Sequence, residues 1–124
     1  MEQVTLEELL SNDLMRIDKV FNAFPVDSPE LAKHTAGGVY IFVDSDKQVL
    51  YVGISDNIYR RVYSHLRGSG SIDIFKYGTD RLSVQFFEEE NALYRDIYES
   101  YLIYQLRPRY NISKTNRVKV SVDH

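Results

Sequence analysis

The amino-acid sequence predicts a single α+β domain, in which a small antiparallel sheet is flanked by helices. Three observations support this prediction: a β-hairpin pattern over residues 38–54, a long helical pattern over residues 91–106, and a length of 124 residues, which suits one ordinary domain. The composition, 44% hydrophobic and 27% charged, is typical of folded globular proteins. Within this unit we distinguish an N-terminal helical extension packed on the domain (1–36) from the remainder (37–124).

The extension is predicted from a helix start followed by an apolar stripe. Thr5 and Glu8 have the spacing of a capping box. Pro25 and Pro29 then close the region. The stripe, at helical spacing, consists of Leu14, Ile17, Phe21 and Phe24. We find no chemistry of its own in this segment and expect it to form a helical layer.

The hairpin pattern consists of two runs of β-branched and aromatic residues, separated by turn-forming residues at 44–47. A turn centred in that segment places Tyr40 directly opposite Tyr51, on one face of the hairpin. The other face is entirely apolar and is therefore predicted to be the core face. Its residues are Val39, Ile41, Val43, Leu50, Val52 and Ile54.

Two helix patterns follow the hairpin. The first covers residues 57–66, with Ser55 and Asp56 as candidate caps, and the second covers 91–106 and stops before Pro108. The apolar face predicted for the second helix comprises Leu93, Tyr94, Ile97, Tyr98, Tyr101 and Leu102. Residues 82–86 alternate as a half-buried strand, and valines at positions 118, 120 and 122 indicate a last, edge-like strand.

The composition excludes several classes of protein. No apolar run approaches the roughly 20 residues of a membrane helix, and the acidic N-terminus does not resemble a signal or transit peptide. The sequence contains no cysteine, which excludes disulfides and thiolate metal sites. We therefore expect no membrane partner and a cytoplasmic location.

The net charge of −3 conceals two segments, 57–72 and 107–122, that contain bases and no acids. Their bases include Arg60, Arg61, Arg67, Arg107, Arg109 and Lys114. Such patches bind phosphates even on an acidic protein, because salt limits electrostatic fields to about 8 Å. On charge alone, however, ordinary solvated surface is the favoured interpretation.

Three groups of residues are candidates for chemistry. Arg61 and His65 are four residues apart and share a face of the first predicted helix, where arginine suits phosphate binding and histidine suits proton transfer. A solvent-facing basic pair explains the same spacing at least as well. Glu99 lies among apolar neighbours in the second helix, so a cation or an arginine is expected nearby. For Tyr40 and Tyr51, cross-strand packing alone is the simpler explanation.

The order of these pieces is more specific than any one of them. The pieces are Gly38-Val39-Tyr40, Tyr51-Val52-Gly53, Arg61, His65, Glu99 and Asn111. Over about residues 37–114, the chain resembles the GIY-YIG endonuclease family. That family includes the nuclease domain of the excinuclease C subunit, homing endonucleases and some restriction enzymes.

The resemblance implies a divalent-metal-dependent DNA endonuclease that hydrolyses phosphodiester bonds. Tyr40 and Tyr51 match the motif tyrosines, one of which helps to deprotonate the attacking water. Arg61 matches the arginine that holds the scissile phosphate. His65 matches a position that is histidine in several members and tyrosine in others, and the resemblance implies a proton shuttle there. Glu99 matches the single carboxylate that binds Mg²⁺ or Mn²⁺.

The resemblance further implies that Asn111 supports the site or the substrate, and that the basic segments contact DNA. The expected DNA-binding residues are Arg60, Arg67, Arg107, Arg109 and Lys114. Ile54 occupies a position where many family members carry a base, so Arg60 or Lys76 is expected to compensate. A catalytically weak nucleic-acid-binding module of the same fold is the alternative reading, and a purely structural interaction protein is the third.

Overall fold

A computed structural model describes residues 22–111 and shows a four-stranded antiparallel sheet with three helices. The strands are β1 (Asn22–Pro25), β2 (Gly38–Asp44), β3 (Val49–Ser55) and β4 (Leu82–Glu88), in the order β1-β4-β2-β3. The helices are α1 (Ile58–Leu66), α2 (Ile72–Tyr77) and α3 (Ala92–Leu106), and short 3-10 helices occupy Pro29–Lys33 and Thr79–Arg81. The predicted α+β architecture is confirmed. The capping box at Thr5 and the strand expected over 118–122 lie outside the described residues.

Strand β1 occupies a segment where the apolar stripe predicted helix. Phe24 pairs with Val84 of β4, and its ring lies 6.0 Å from that of Phe86. Exposure alternates along the strand, with Asn22 and Phe24 partly buried and Ala23 and Pro25 exposed. Pro25 is compatible with an edge strand, where one side of the backbone needs no ladder partner. The sheet therefore includes a strand that the spacing of aromatic residues alone did not indicate.

The hairpin register differs from the prediction by two residues. Tyr40 lies opposite Gly53, and Tyr51 lies opposite Phe42, so the two tyrosines are not direct partners. The cause is a longer turn, in which Asp44 accepts hydrogen bonds from the backbone N–H groups of Asp46 and Gln48. A shift of two residues preserves the face of every side chain, and both tyrosines still share a face.

The pairing also shifts between Phe42 and Val43, which disturbs the alternation of β3. As a result Val49 packs with Val39 on one face, whereas Leu50 packs with Tyr40 on the other. The prediction that Leu50 belongs to the Val39 face was therefore wrong. A bulge reverses the facing of residues beyond it, and periodicity alone does not reveal one.

Both faces of the sheet are buried, whereas the sequence predicted a single core face. One cluster lies under α3 and comprises Val39, Ile41, Val43, Val49, Val52, Phe87, Leu102, Ile103 and Leu106. The other lies under α1 and α2 and includes Tyr40, Phe42, Leu50, Ile58, Val62, Ile74, Val84 and Phe86. The tyrosine face of the hairpin is therefore also core. The sheet separates two helical layers.

The packed face of α3 differs from the predicted one. Leu93, Tyr94 and Ile97 are exposed, with Leu93 at 64%, whereas Ile103 and Leu106 are almost fully buried. Helix α3 carries apolar side chains on several of its sides, so a helical wheel alone does not identify the face that meets the sheet. None of the helices within residues 22–111 is both long and apolar enough to cross a membrane.

Candidate active site

Tyr40 lies in the interior of the sheet at the centre of the candidate site. Its side chain is 1% exposed, and its phenol rests on the backbone of Gly53, its cross-strand partner. A Cβ at position 53 would collide with both the phenol oxygen and the ring. Gly53, the last residue of the Tyr51-Val52-Gly53 motif, therefore provides the space that the side chain of Tyr40 occupies.

Helix α1 brings Arg61 and His65 to this tyrosine. The helix is capped by the Asn57 side chain, which accepts a hydrogen bond from the Arg60 N–H, and not by the predicted Ser55 or Asp56. The i, i+4 spacing then directs Arg61 and His65 to the same side. Arg61 is exposed, whereas His65 is 2% exposed.

His65 uses both of its ring nitrogens. Nε2 lies 2.7 Å from the Tyr40 hydroxyl, and Nδ1 accepts a hydrogen bond of 2.8 Å from the backbone N–H of Ser71. Burial and, to a smaller extent, the nearby positive charge of Arg61 lower the pKa of His65 to about 4. The imidazole is therefore neutral at physiological pH.

The two tyrosines are also protonated at neutral pH. Burial raises the pKa of Tyr40 far above its ordinary value, and Tyr51 adds to the rise, while the Arg61 guanidinium opposes it. The pKa of Tyr51 is raised first by burial and second by the negative charge of Glu99, and Arg61 again opposes the shift. The tyrosine rings are 6.4 Å apart. Tyr51 is the more exposed of the two hydroxyl-bearing side chains.

Glu99 reaches the site from α3, on the opposite layer. Its side chain is half-buried, and its charge raises the pKa of both Tyr40 and Tyr51. Across residues 22–111, no group of three or more His, Cys, Asp or Glu side chains is placed to hold a metal ion. A single carboxylate fits Mg²⁺, which retains several water ligands, better than it fits a fully protein-coordinated ion.

Asn111 supports the site through the backbone of β3. Its side-chain oxygen accepts from the Val52 N–H at 2.8 Å, and its amide donates to the Val52 carbonyl at 2.9 Å. Strand β3 lies at the sheet edge, where these two groups have no strand partner. Asn111 is buried and thus fixes the residue that directly follows Tyr51.

Two of the candidate DNA-binding residues, Arg60 and Arg67, lie at helix α1. Arg60 lines a polar cleft of about 300 Å³ and forms an ion pair of 3.0 Å with Asp56. The other residues lining that cleft are Ile54, Ser55, Asp56, Arg61 and Ser64. The guanidinium of Arg67 stacks on Tyr63 at 4.5 Å from the ring centre.

Arg107 and Arg109 lie beyond α3. The guanidinium of Arg107 packs over the Tyr104 ring at 4.8 Å, and that of Arg109 lies 5.6 Å from the Tyr110 ring. The Arg109 N–H donates to the Val49 carbonyl, which places Arg109 near the start of β3. Lys114 lies outside the described residues.

Gly70 and Ser71 also belong to the site, although the sequence did not identify them. They precede α2, a helix of six residues whose N-cap is Ser71. The Gly70 backbone passes so close to His65 that an added Cβ would meet the imidazole ring. In the sequence, Gly68 and Gly70 indicated only the end of the preceding helix, and a helix as short as α2 has little periodic signal.

A family model described as the GIY-YIG catalytic domain matches residues 36–111. The chain belongs to the GIY-YIG family.

Curated relatives extend well beyond the matched region. Protein C of the UvrABC system from Methanothermobacter thermautotrophicus is 39% identical over 77 residues, which are 62% of this chain and 13% of that protein. Its counterpart from Cereibacter sphaeroides is 38% identical over 76 residues, which are 60% of this chain and 12% of that protein. The GIY-YIG match thus spans only a small part of these relatives.

The fold also matches a solved GIY-YIG structure. The N-terminal endonuclease domain of UvrC from Thermotoga maritima, bound to magnesium as its catalytic cation, superposes with a TM-score of 0.56 and 25% sequence identity. The alignment covers 68% of this chain and 98% of that domain. The shared architecture is therefore almost the whole of the Thermotoga domain, and this chain adds residues outside it.

Proposed function

We propose that this GIY-YIG chain is a divalent-metal-dependent endonuclease that hydrolyses phosphodiester bonds in DNA. The observation that carries the proposal is the meeting of one carboxylate, one arginine and two tyrosines from both helical layers and two strands. Glu99 and Arg61 both act electrostatically on Tyr40 and Tyr51, so all four side chains belong to one site. The Thermotoga relative is named an endonuclease and contains magnesium.

Each side chain has a role that suits its chemistry. Glu99 would hold Mg²⁺ through its carboxylate, and the bound ion would polarise the phosphate and stabilise the leaving oxygen. The exposed guanidinium of Arg61 would clamp the scissile phosphate with two parallel hydrogen bonds. Tyr51, which is less buried than Tyr40, would contact the attacking water. Tyr40 would orient Tyr51 and the water by a hydroxyl that is fixed in the interior.

Several residues would contribute without touching the reacting atoms. Asn111 would keep the backbone after Tyr51 in place. Arg60, in the same cleft as Arg61, would contact a neighbouring phosphate in the absence of a base at Ile54. Arg67, Arg107 and Arg109 would provide further phosphate contacts that depend on salt concentration.

A binding module that cleaves weakly is the second candidate, and Ile54 favours it. This side chain packs against the cluster under α3, at the position where the family resemblance leads us to expect a base. Such a module would bind DNA with a strong salt dependence and leave it intact.

The test is cleavage of supercoiled plasmid and branched DNA with Mg²⁺, by the wild-type chain and by Glu99→Gln. Glutamine keeps the shape of the side chain and removes the charge that a hard cation needs. Asp96→Asn, which removes the same charge from an exposed position of α3, is the matched control. We expect cleavage by the wild type and by the control, and none by Glu99→Gln. DNA binding without cleavage by the wild type would favour the second candidate.

A further inference from the structure

The hydrogen bonds of His65 determine which of its nitrogens carries a proton. A backbone N–H is only a donor, so Nδ1, 2.8 Å from the Ser71 nitrogen, must be the unprotonated acceptor. A neutral imidazole carries one hydrogen, which is then on Nε2. Nε2 lies 2.7 Å from the Tyr40 oxygen, and so donates to it.

The alternative tautomer is excluded by the same geometry. A hydrogen on Nδ1 would point at the Ser71 N–H and leave both donors without an acceptor in a buried place. The doubly protonated ring would lose the Ser71 bond as well, and it would place a positive charge beside that of Arg61. Only one of the three protonation states satisfies both ring nitrogens.

We propose that His65 is a fixed hydrogen-bond donor that positions Tyr40, and that the Gly70–Ser71 segment sets its tautomer. His65 is therefore a positioning residue and not the proton shuttle that the family resemblance implied. This inference rests on the proposed function for its catalytic consequence. The tautomer itself is a property of the free protein.

The consequence for Tyr40 concerns the direction of its own proton. Its oxygen receives the His65 N–H, so its hydroxyl hydrogen is donated away from His65. Because Nε2 is already protonated, His65 cannot accept a proton from Tyr40. Tyr40 therefore acts as a donor of fixed orientation, and the proton of the attacking water would leave to solvent by a route that does not include His65.

Gly70 makes this arrangement possible. Its backbone lies against the Nδ1 side of His65, and a Cβ there would collide with Nδ1 itself. A larger residue would therefore push the ring away from Tyr40 and separate Nδ1 from Ser71. Gly70 and Ser71 act on Tyr40 only through His65.

The first test reads the tautomer directly from the imidazole ¹⁵N chemical shifts of the wild-type protein. The signals are assigned with His34→Gln and His65→Gln. We expect an unprotonated Nδ1 and a protonated Nε2 for His65, unchanged as the pH falls through the ordinary histidine pKa of about 6.5. A protonated Nδ1, or titration near the ordinary value, would overturn the proposal. Because the measurement needs no DNA, it judges the tautomer even if the chain cleaves nothing.

The second test compares two amides at position 65 by single-turnover cleavage. The Nε2 of glutamine takes the place of the imidazole Nε2 and still reaches Tyr40, whereas the shorter asparagine keeps only an acceptor for Ser71. Neither amide transfers protons. We expect His65→Gln to lose less than about tenfold in rate, and to keep the wild-type pH profile, because a general acid–base role would cost roughly 10²–10⁴.

His65→Asn should be slower than His65→Gln, because it loses the contact with Tyr40. Equal losses of a hundredfold or more in both variants would indicate a proton shuttle and overturn the proposal. An inactive wild type would instead refute the proposed endonuclease function and leave the ¹⁵N measurement to decide the tautomer.

Discussion

The phenol of Tyr40 lies against Gly53, its direct cross-strand partner, and fills the volume that a side chain at position 53 would need. The two halves of the family motif are thus one packing unit. The same phenol accepts the hydrogen bond of His65 on its other side. A change at Gly53 should therefore reach α1 without altering any residue in it.

Gly53→Ala should destabilise the protein by about 1–3 kcal/mol, because an added methyl group in a packed interior forces its neighbours to move. Cleavage should fall more than stability alone explains, since the phenol is displaced from His65. Urea unfolding and single-turnover cleavage would measure the two effects. Tyr40→Ala removes the obstacle, so adding Gly53→Ala to it should cost much less than in the wild type. Additive losses would show that the two residues are independent.

The relation of Tyr40 to Tyr51 illustrates what the sequence could predict. Strand alternation placed both tyrosines on one face, and an error of two residues in the register left that result intact. The bulge before Val43 had the opposite effect on Leu50, because a shift of one residue moves a side chain to the other face. The alternation of a sequence shows which side chains share a face of a strand, whereas the position of a bulge depends on the geometry of the turn.

The helices show a second limit. The spacing of Arg61 and His65 was sufficient to predict that they share a face, because a helix fixes the i, i+4 relation locally. The orientation of α3 depended instead on which of several apolar flanks met the sheet, and Leu93 was assigned to the wrong one. The contact of Ser71 with His65 joins two elements through a single backbone N–H, which no side-chain pattern records.

Asn111→Ala should weaken both the fold and the reaction. It removes the partners of the Val52 N–H and carbonyl, and buried polar groups without partners cost about 1–3 kcal/mol. Because Val52 follows Tyr51, the rate of the chemical step should fall while DNA affinity stays close to the wild-type value. Urea unfolding, single-turnover cleavage and equilibrium binding would test this. A loss of DNA affinity at unchanged rate would mean that Asn111 contacts the substrate instead.

The lowered pKa of His65, about 4, predicts an acid-sensitive fold. The unfolded chain binds a proton at this residue near its ordinary pKa of about 6.5, whereas the folded chain does not until the pH approaches the lower value. The stability contribution is therefore complete above the unfolded pKa and is lost as the pH falls between the two. One pKa unit corresponds to about 1.4 kcal/mol, so the total is at most roughly 3.5 kcal/mol.

His65→Gln should flatten the dependence of unfolding free energy on pH in that window. The pKa of Asp44 is also lowered, because its hydrogen bonds outweigh the effect of burial. This carboxyl changes the unfolding free energy only as the pH falls below its ordinary pKa of 3.8, and it is the same in both proteins. Urea unfolding at several pH values would compare the two proteins. Equal slopes in the window would mean that His65 titrates normally in the folded protein.

Arg61→Lys separates two roles for the exposed base of the site. If Arg61 only attracts DNA, lysine should retain most activity, because one phosphate contact contributes little and the charge remains. If Arg61 clamps the scissile phosphate, lysine loses the two parallel hydrogen bonds, and such a loss typically costs roughly 10²–10³ in rate. We expect nearly unchanged DNA affinity and cleavage at least about a hundredfold slower. Single-turnover cleavage beside equilibrium binding at one salt concentration would measure both, with Arg81→Lys, an exposed base that packs on Tyr77, as the control. Equal losses in affinity and rate would assign Arg61 to DNA attraction alone.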